Sequence, residues 1–169
     1  YLLGVQRGEW RPSQALDSIQ ARLHCPTPRI ELGMALLGIA HAAIDLSDGL
    51  LGDLKHILIA SQWNADIWID QIPTSHIVSV LSPELRRLCT LKGGDDYELC
   101  FTAPEKNRQI ISQISQELKV PLTRIGVITK TGSHDEFGKI DLIDSQNHVL
   151  PAELTQQYMR SFDHFQHES

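Results

Sequence analysis

The run Ala42-Ala43-Ile44-Asp45-Leu46-Ser47-Asp48-Gly49-Leu50-Leu51 constrains the fold more than any other stretch of the chain. A short apolar strand runs into two carboxylates and a hydroxyl, Gly49 permits a sharp turn, and an amphipathic helix starts at once. Strand, tight turn and helix in that order require a layered domain in which the turn sits at one end of a sheet. Asp45 and Asp48, with Ser47 between them, can converge on one small volume if the chain turns at Gly49. Mg²⁺ takes hard oxygen ligands of this kind, commonly one or two carboxylates shared with water and substrate phosphates. The helix predicted over 50–61 would aim its first N–H groups at the same place and favour bound anions. The same residues equally suit a plain helix start, with Ser47 or Asp48 as the N-cap.

The remaining pattern alternates strands with helices. Ala15, Leu16, Ile19 and Leu23 recur at helical spacing over 12–23, a loop follows through Cys25-Pro26-Thr27-Pro28, and a second helix is predicted over 30–39. After the strand at 42–46, the helix over 50–61 carries Leu50, Leu51, Leu54, Ile57 and Leu58 on one face, leaving Asp53, Lys55 and Gln62 to face solvent. Residues 66–70 alternate with a period of two, as a half-buried strand does, and Pro73 closes them. Short helices are expected over 75–81 and 83–91, a strand over 97–102, and a helix over 104–119 with Ile110, Ile111, Ile114 and Leu118 inward. Strands over 124–129 and 139–143 complete the pattern, which indicates an α/β domain of α+β type.

Composition narrows the function classes. A chain of 169 residues with 41% hydrophobic content suits one compact domain, or two small ones, with a real core. A formal charge of −6, with Lys and Arg scattered, argues against a general nucleic-acid surface. Three cysteines, Cys25, Cys89 and Cys100, form no CxxC pair, which disfavours both a zinc knuckle and a secreted disulfide framework. No apolar run reaches the length of a membrane span and no signal-peptide pattern opens the chain, so a cytoplasmic protein is expected. The opening Tyr1-Leu2-Leu3-Gly4-Val5, without an initiator Met, is expected to be the end of something upstream.

A second chemical constellation is Lys92-Gly93-Gly94-Asp95-Asp96-Tyr97-Glu98-Leu99, in which a glycine pair would let backbone approach a ligand and carboxylates follow at once. A simple helix-to-strand turn has the same composition. Neither a Walker P-loop nor a dinucleotide fingerprint occurs. Taken in order, Pro28-Arg29-x-Glu31-Leu32-Gly33, Asp45-Leu46-Ser47-Asp48-Gly49-Leu50, Gly93-Gly94-Asp95-Asp96-Tyr97-Glu98-Leu99 and Phe162-Asp163-His164-Phe165 resemble the C-terminal half of thiamine-monophosphate kinase over nearly the whole chain. That family lies in a superfamily with aminoimidazole ribonucleotide synthetase, selenophosphate synthetase and a hydrogenase-maturation protein.

The resemblance implies a mixed sheet with helices packed on it, like the C-terminal domain of aminoimidazole ribonucleotide synthetase. It makes residues 1–169 a single C-terminal domain of a two-domain kinase whose N-terminal nucleotide- and metal-binding domain is absent, so that the isolated fragment would be inactive. The implied activity is transfer of the γ-phosphoryl of ATP to thiamine monophosphate, giving thiamine diphosphate, with Mg²⁺ and a homodimer at full length. Carried over residue by residue, Asp45 and Asp48 would be Mg²⁺ ligands, Ser47 would touch the ATP phosphates, and Asp95 and Phe162 would contact thiamine monophosphate. Asp95 stands where the family often has Glu, which shortens a contact by one methylene, and Ser161 stands where it often has Gly. A different acceptor within the superfamily, and a non-catalytic interaction or dimerisation domain, are the alternatives.

Overall fold

The computed structural model describes residues 24–130 and 137–159. The helix predicted over 12–23 and the segment carrying Ser161, Phe162 and His164 lie outside them.

The described elements run α1 (Ile30–Ala35), β1 (Ala42–Asp45), α2 (Leu50–Ser61), β2 (Asn64–Trp68), α3 (His76–Ser79), α4 (Pro83–Lys92), β3 (Leu99–Thr102), α5 (Arg108–Leu118), β4 (Gly126–Thr129), β5 (Ile140–Ile143) and α6 (Ala152–Met159). The mixed sheet has β2 at its centre, antiparallel to β4 and parallel to β5. A separate antiparallel ribbon joins β1 to β3, with Asp45 opposite Leu99. Helices pack on both, as the α+β pattern requires.

Two apolar clusters hold the layers together. The larger brings Leu51, Leu54 and Leu58 of α2 onto Ala65 and Ile67 of β2 and Ile140 and Leu142 of β5, with Leu91 of α4 closing the side. The parallel register explains the fit, because Ala65 pairs with Ile140 and Ile67 with Leu142, so all four side chains share one face. The smaller cluster joins Leu32 and Leu36 to Ile114 of α5. Strand β3 serves both: Cys100 packs against the larger cluster, while Leu99 and Phe101 pack against the smaller. Period-two alternation thus fixes the ribbon between the cores.

Several predicted boundaries shift for local reasons. Helix α1 stops at Ala35 rather than 39, and the turn after it contains Gly38 at a left-handed φ of 73°. The strand expected over 66–70 starts at Asn64, whose side chain accepts the Lys139 N–H at 2.9 Å and so ties β2 to the entry of β5. The helix expected over 104–119 begins as a 3₁₀ turn, Glu105–Asn107, and Asn107 donates its side-chain N–H to the Ile39 carbonyl at 2.9 Å. Ile110, expected inside, is 43% exposed. Helix α6 had no predicted counterpart. Among the described residues no helix is long and apolar enough to cross a membrane.

Candidate functional site

Alternation along β1 turns Ala42 and Ile44 inward and leaves Ala43 and Asp45 exposed, so Asp45 stands at the open end of the ribbon. Beyond it Ser47 and Asp48 are exposed, whereas Gly49 is buried. Neither Ser47 nor Asp48 caps α2. The N-cap is Gly49, with φ of 111° and no side-chain cap bond, and a Cβ there would lie 3.1 Å from the Lys92 carbonyl oxygen. Only glycine meets both demands, the left-handed φ and the close approach.

What shapes this turn is Asp53, which was expected to face solvent. It is 3% exposed and turns back toward the loop. Its Oδ2 accepts the Ser47 N–H at 2.9 Å and the Asp48 N–H at 3.1 Å. Two backbone donors that would otherwise lack partners are satisfied by one carboxylate near the helix N-terminus, where negative charge is favoured. Helical spacing alone missed this residue, since it counts Asp as polar and therefore outward. The signal in the sequence is a carboxylate on the first turn, close to a loop rich in N–H donors.

The second loop lies directly against the first. Hydrogen bonds from Tyr97 N–H to the Leu46 carbonyl (2.8 Å), from Leu46 N–H to the Glu98 carbonyl (2.9 Å) and from Asp95 N–H to the Ser47 carbonyl (2.9 Å) continue the β1–β3 pairing in irregular form. Asp95 and Tyr97 take left-handed φ values of 62° and 52°, which ends the regular strand at Leu99 instead of 97. The glycine pair does not open space for a ligand, contrary to the sequence reading. A Cβ on Gly94 would sit 2.5 Å from the Ser47 carbonyl oxygen, and one on Gly93 would collide with the Cys89 carbonyl. The room is filled by the chain's own backbone, and its effect is to press the two acidic loops together.

Around this junction Asp95 accepts the Tyr97 hydroxyl at 3.1 Å, and that bond, with the charges of Asp95 and then Asp45 nearby, pushes the tyrosine pKa up. Arg29 forms a two-pronged ion pair with Glu98, Nε and Nη2 each donating at 2.7 Å. The pair joins the loop before α1 to the segment entering β3, and both residues belong to the motifs singled out in the sequence without a role. A cavity of about 210 Å³ opens beside it, lined by Pro26, Pro28, Arg29, Asp45, Tyr97 and Leu99. Cys100, behind the loops, has its thiol pKa pushed up to about 11 by burial and secondarily by the Asp53 charge.

The structure therefore brings together Asp45, Ser47, Asp48 and Asp95 on the adjoining turns, and Phe162 lies outside the described residues. Exposed carboxylates at Asp45 and Asp48 are the donor type a Mg²⁺ ion takes. Among the described residues no group of three or more His, Cys, Asp or Glu side chains converges as a metal site.

This helix-covered mixed sheet with an acidic strand-to-helix turn is a domain of the aminoimidazole ribonucleotide synthetase-like class. No protein-family model matches the chain. The thiamine-monophosphate kinase of Haemophilus influenzae is 42% identical over 156 residues, covering 89% of this chain and 45% of that protein. The crystal structure of thiamine-monophosphate kinase from Stenotrophomonas maltophilia K279a matches with a TM-score of 0.73 at 39% identity, over 83% of this chain and 45% of that one. A structure of AaThiL complexed with AMPPCP and TMP shares the fold, with a TM-score of 0.60 at 22% identity over 88% of this chain and 44% of that one. The chain belongs to the thiamine-monophosphate kinase family, and it spans about half the length of the curated relatives it matches.

Proposed function

We propose that this chain is the C-terminal domain of a kinase that transfers the γ-phosphoryl of ATP to thiamine monophosphate, giving thiamine diphosphate. The observation that carries the reading is the contact of the two motif loops through the Asp95 N–H and the Ser47 carbonyl, 2.9 Å apart. It puts the residues assigned to ATP and metal beside the residue assigned to the acceptor. The AaThiL complex with AMPPCP and TMP and the kinases of the family support it.

In this reading Asp45 and Asp48 hold Mg²⁺, and Ser47 donates its hydroxyl to the ATP phosphates. Bound Mg²⁺ neutralises phosphate charge and steadies the transferring group. The acceptor phosphate is already ionised at neutral pH, so these residues need supply no general base; they position and they balance charge. Asp95, fixed by the Tyr97 hydroxyl, faces the cationic thiazolium, and Phe162 offers an aromatic face to the substrate rings. An upstream N-terminal domain completes the nucleotide pocket, and the intact protein is a cytoplasmic homodimer.

The test is ATP- and Mg²⁺-dependent conversion of thiamine monophosphate to thiamine diphosphate by the intact protein and by Asp48→Asn. The expected result is turnover by the parent and a loss of about tenfold or more in the folded variant. A folded, Mg²⁺-saturated parent that makes no thiamine diphosphate refutes the reading, and a screen of other phosphate and carboxylate acceptors then decides within the superfamily.

A further inference from the structure

We infer that Asp53 is the positioning residue of this site: a buried carboxylate that fixes the Ser47–Asp48 turn from beneath and so sets how the turn presents its side chains to a metal-bound triphosphate. The inference rests on the kinase reading and adds a residue that touches neither ATP nor acceptor.

Three observations converge. Asp53 is only 3% exposed, so its carboxylate has no bulk water to satisfy it. Its Oδ2 accepts the two consecutive N–H groups of Ser47 and Asp48, themselves the proposed ATP contact and one of the two proposed Mg²⁺ ligands. Its own backbone N–H closes the first helical turn onto the Gly49 carbonyl at 3.0 Å, so the carboxylate sits on the rigid helix and the loop hangs from it. With the Ser47 carbonyl also held by the Asp95 N–H, the turn is clamped on both sides of one peptide.

The arrangement has a charge consequence as well. Asp53 adds a third negative charge beneath the exposed Asp45 and Asp48, which opposes a bare triphosphate and favours one that arrives with a divalent cation. An apolar replacement would relax the loop and weaken that preference together. Asn keeps an acceptor oxygen of similar reach and loses only the charge.

The experiment uses the intact protein with Asp53→Ala and Asp53→Asn, reading amide hydrogen exchange over residues 45–50, binding of ATP with Mg²⁺ by calorimetry, and the thermal midpoint. Expected in Asp53→Ala is faster exchange of the Ser47 and Asp48 amides and binding of MgATP weakened by about tenfold or more. Asp53→Asn falls between it and the parent. Exchange that rises while MgATP binding stays within twofold overturns the positioning role, as does unchanged exchange. If Asp53→Ala does not fold, Asp53→Asn decides by itself, and MgATP binding within twofold of the parent overturns the inference. A parent that binds no MgATP refutes the kinase reading itself, whereas parental binding insensitive to Asp53 refutes only this step.

Discussion

Replacing Gly94 by alanine tests the contact between the two loops. Gly94 is not in the left-handed region, so conformational freedom is not why glycine is there; room is. An alanine Cβ would lie 2.5 Å from the Ser47 carbonyl oxygen and 3.5 Å from the Asp48 carbonyl carbon, both backbone atoms that no rotamer change can move. Ordinary carbon-to-oxygen approaches are about 3.3 Å or longer, so the loops must part by about 0.8 Å. Overpacking of that kind costs about 1–3 kcal/mol. The Asp95 N–H to Ser47 carbonyl bond stretches with it, which costs about 1 kcal/mol more. The sum, about 3 kcal/mol, lowers the melting midpoint of a domain of this size by roughly 6–12 °C. Gly52→Ala is the control: its Cβ meets nothing within 4 Å inside α2, so the added helix propensity raises stability by about 0.5–1 kcal/mol. Circular dichroism melts of both variants in one buffer measure the contrast. A Gly94→Ala midpoint at or above the parent's refutes the close approach, and with it the placement of Asp95 beside Ser47.

Two further outcomes are expected. Arg29→Lys keeps the charge but loses the fork that meets both Glu98 oxygens, so it destabilises by about 1 kcal/mol, the upper end for a partly exposed pair, and a double-mutant cycle with Glu98→Gln returns a coupling of that size; coupling near zero in urea unfolding contradicts the ion pair. The Cys100 thiol, with its pKa raised to about 11, stays protonated through pH 9 and labels with iodoacetamide far more slowly than the exposed Cys25 until denaturant is added; equal rates at pH 8, read by peptide mass spectrometry, contradict its packing against the larger apolar cluster.

Periodicity was sufficient wherever one face of an element is buried by residues of a single chemical kind. Leu50, Leu51, Leu54, Ile57 and Leu58 announced α2, and its observed bounds are those predicted. Elements differed where local geometry, not a stripe, sets the end: α1 stops at Ala35 ahead of a turn that contains Gly38, Asn64 starts β2 early, and the left-handed Asp95 and Tyr97 break the run into β3. The order of the strands was not legible, because β2 reaches β4 and β5 only through long-range pairing.

At the site, sequence by itself determined which chemistry is on offer: carboxylates at Asp45, Asp48 and Asp95, a hydroxyl at Ser47, and glycines that mark where backbone must come close. Those follow from side-chain identity and local spacing, which need no fold. Only the tertiary structure decided that the glycine space is filled by the chain's own carbonyls, that Arg29 meets Glu98 across 69 positions, and that Asp53 faces inward to hold the turn. The physical reason is common to all three. Each depends on which backbone donors and acceptors lie nearby once the ribbon and α2 have packed, and the satisfaction of a buried polar group is a property of its surroundings, not of its own residue type.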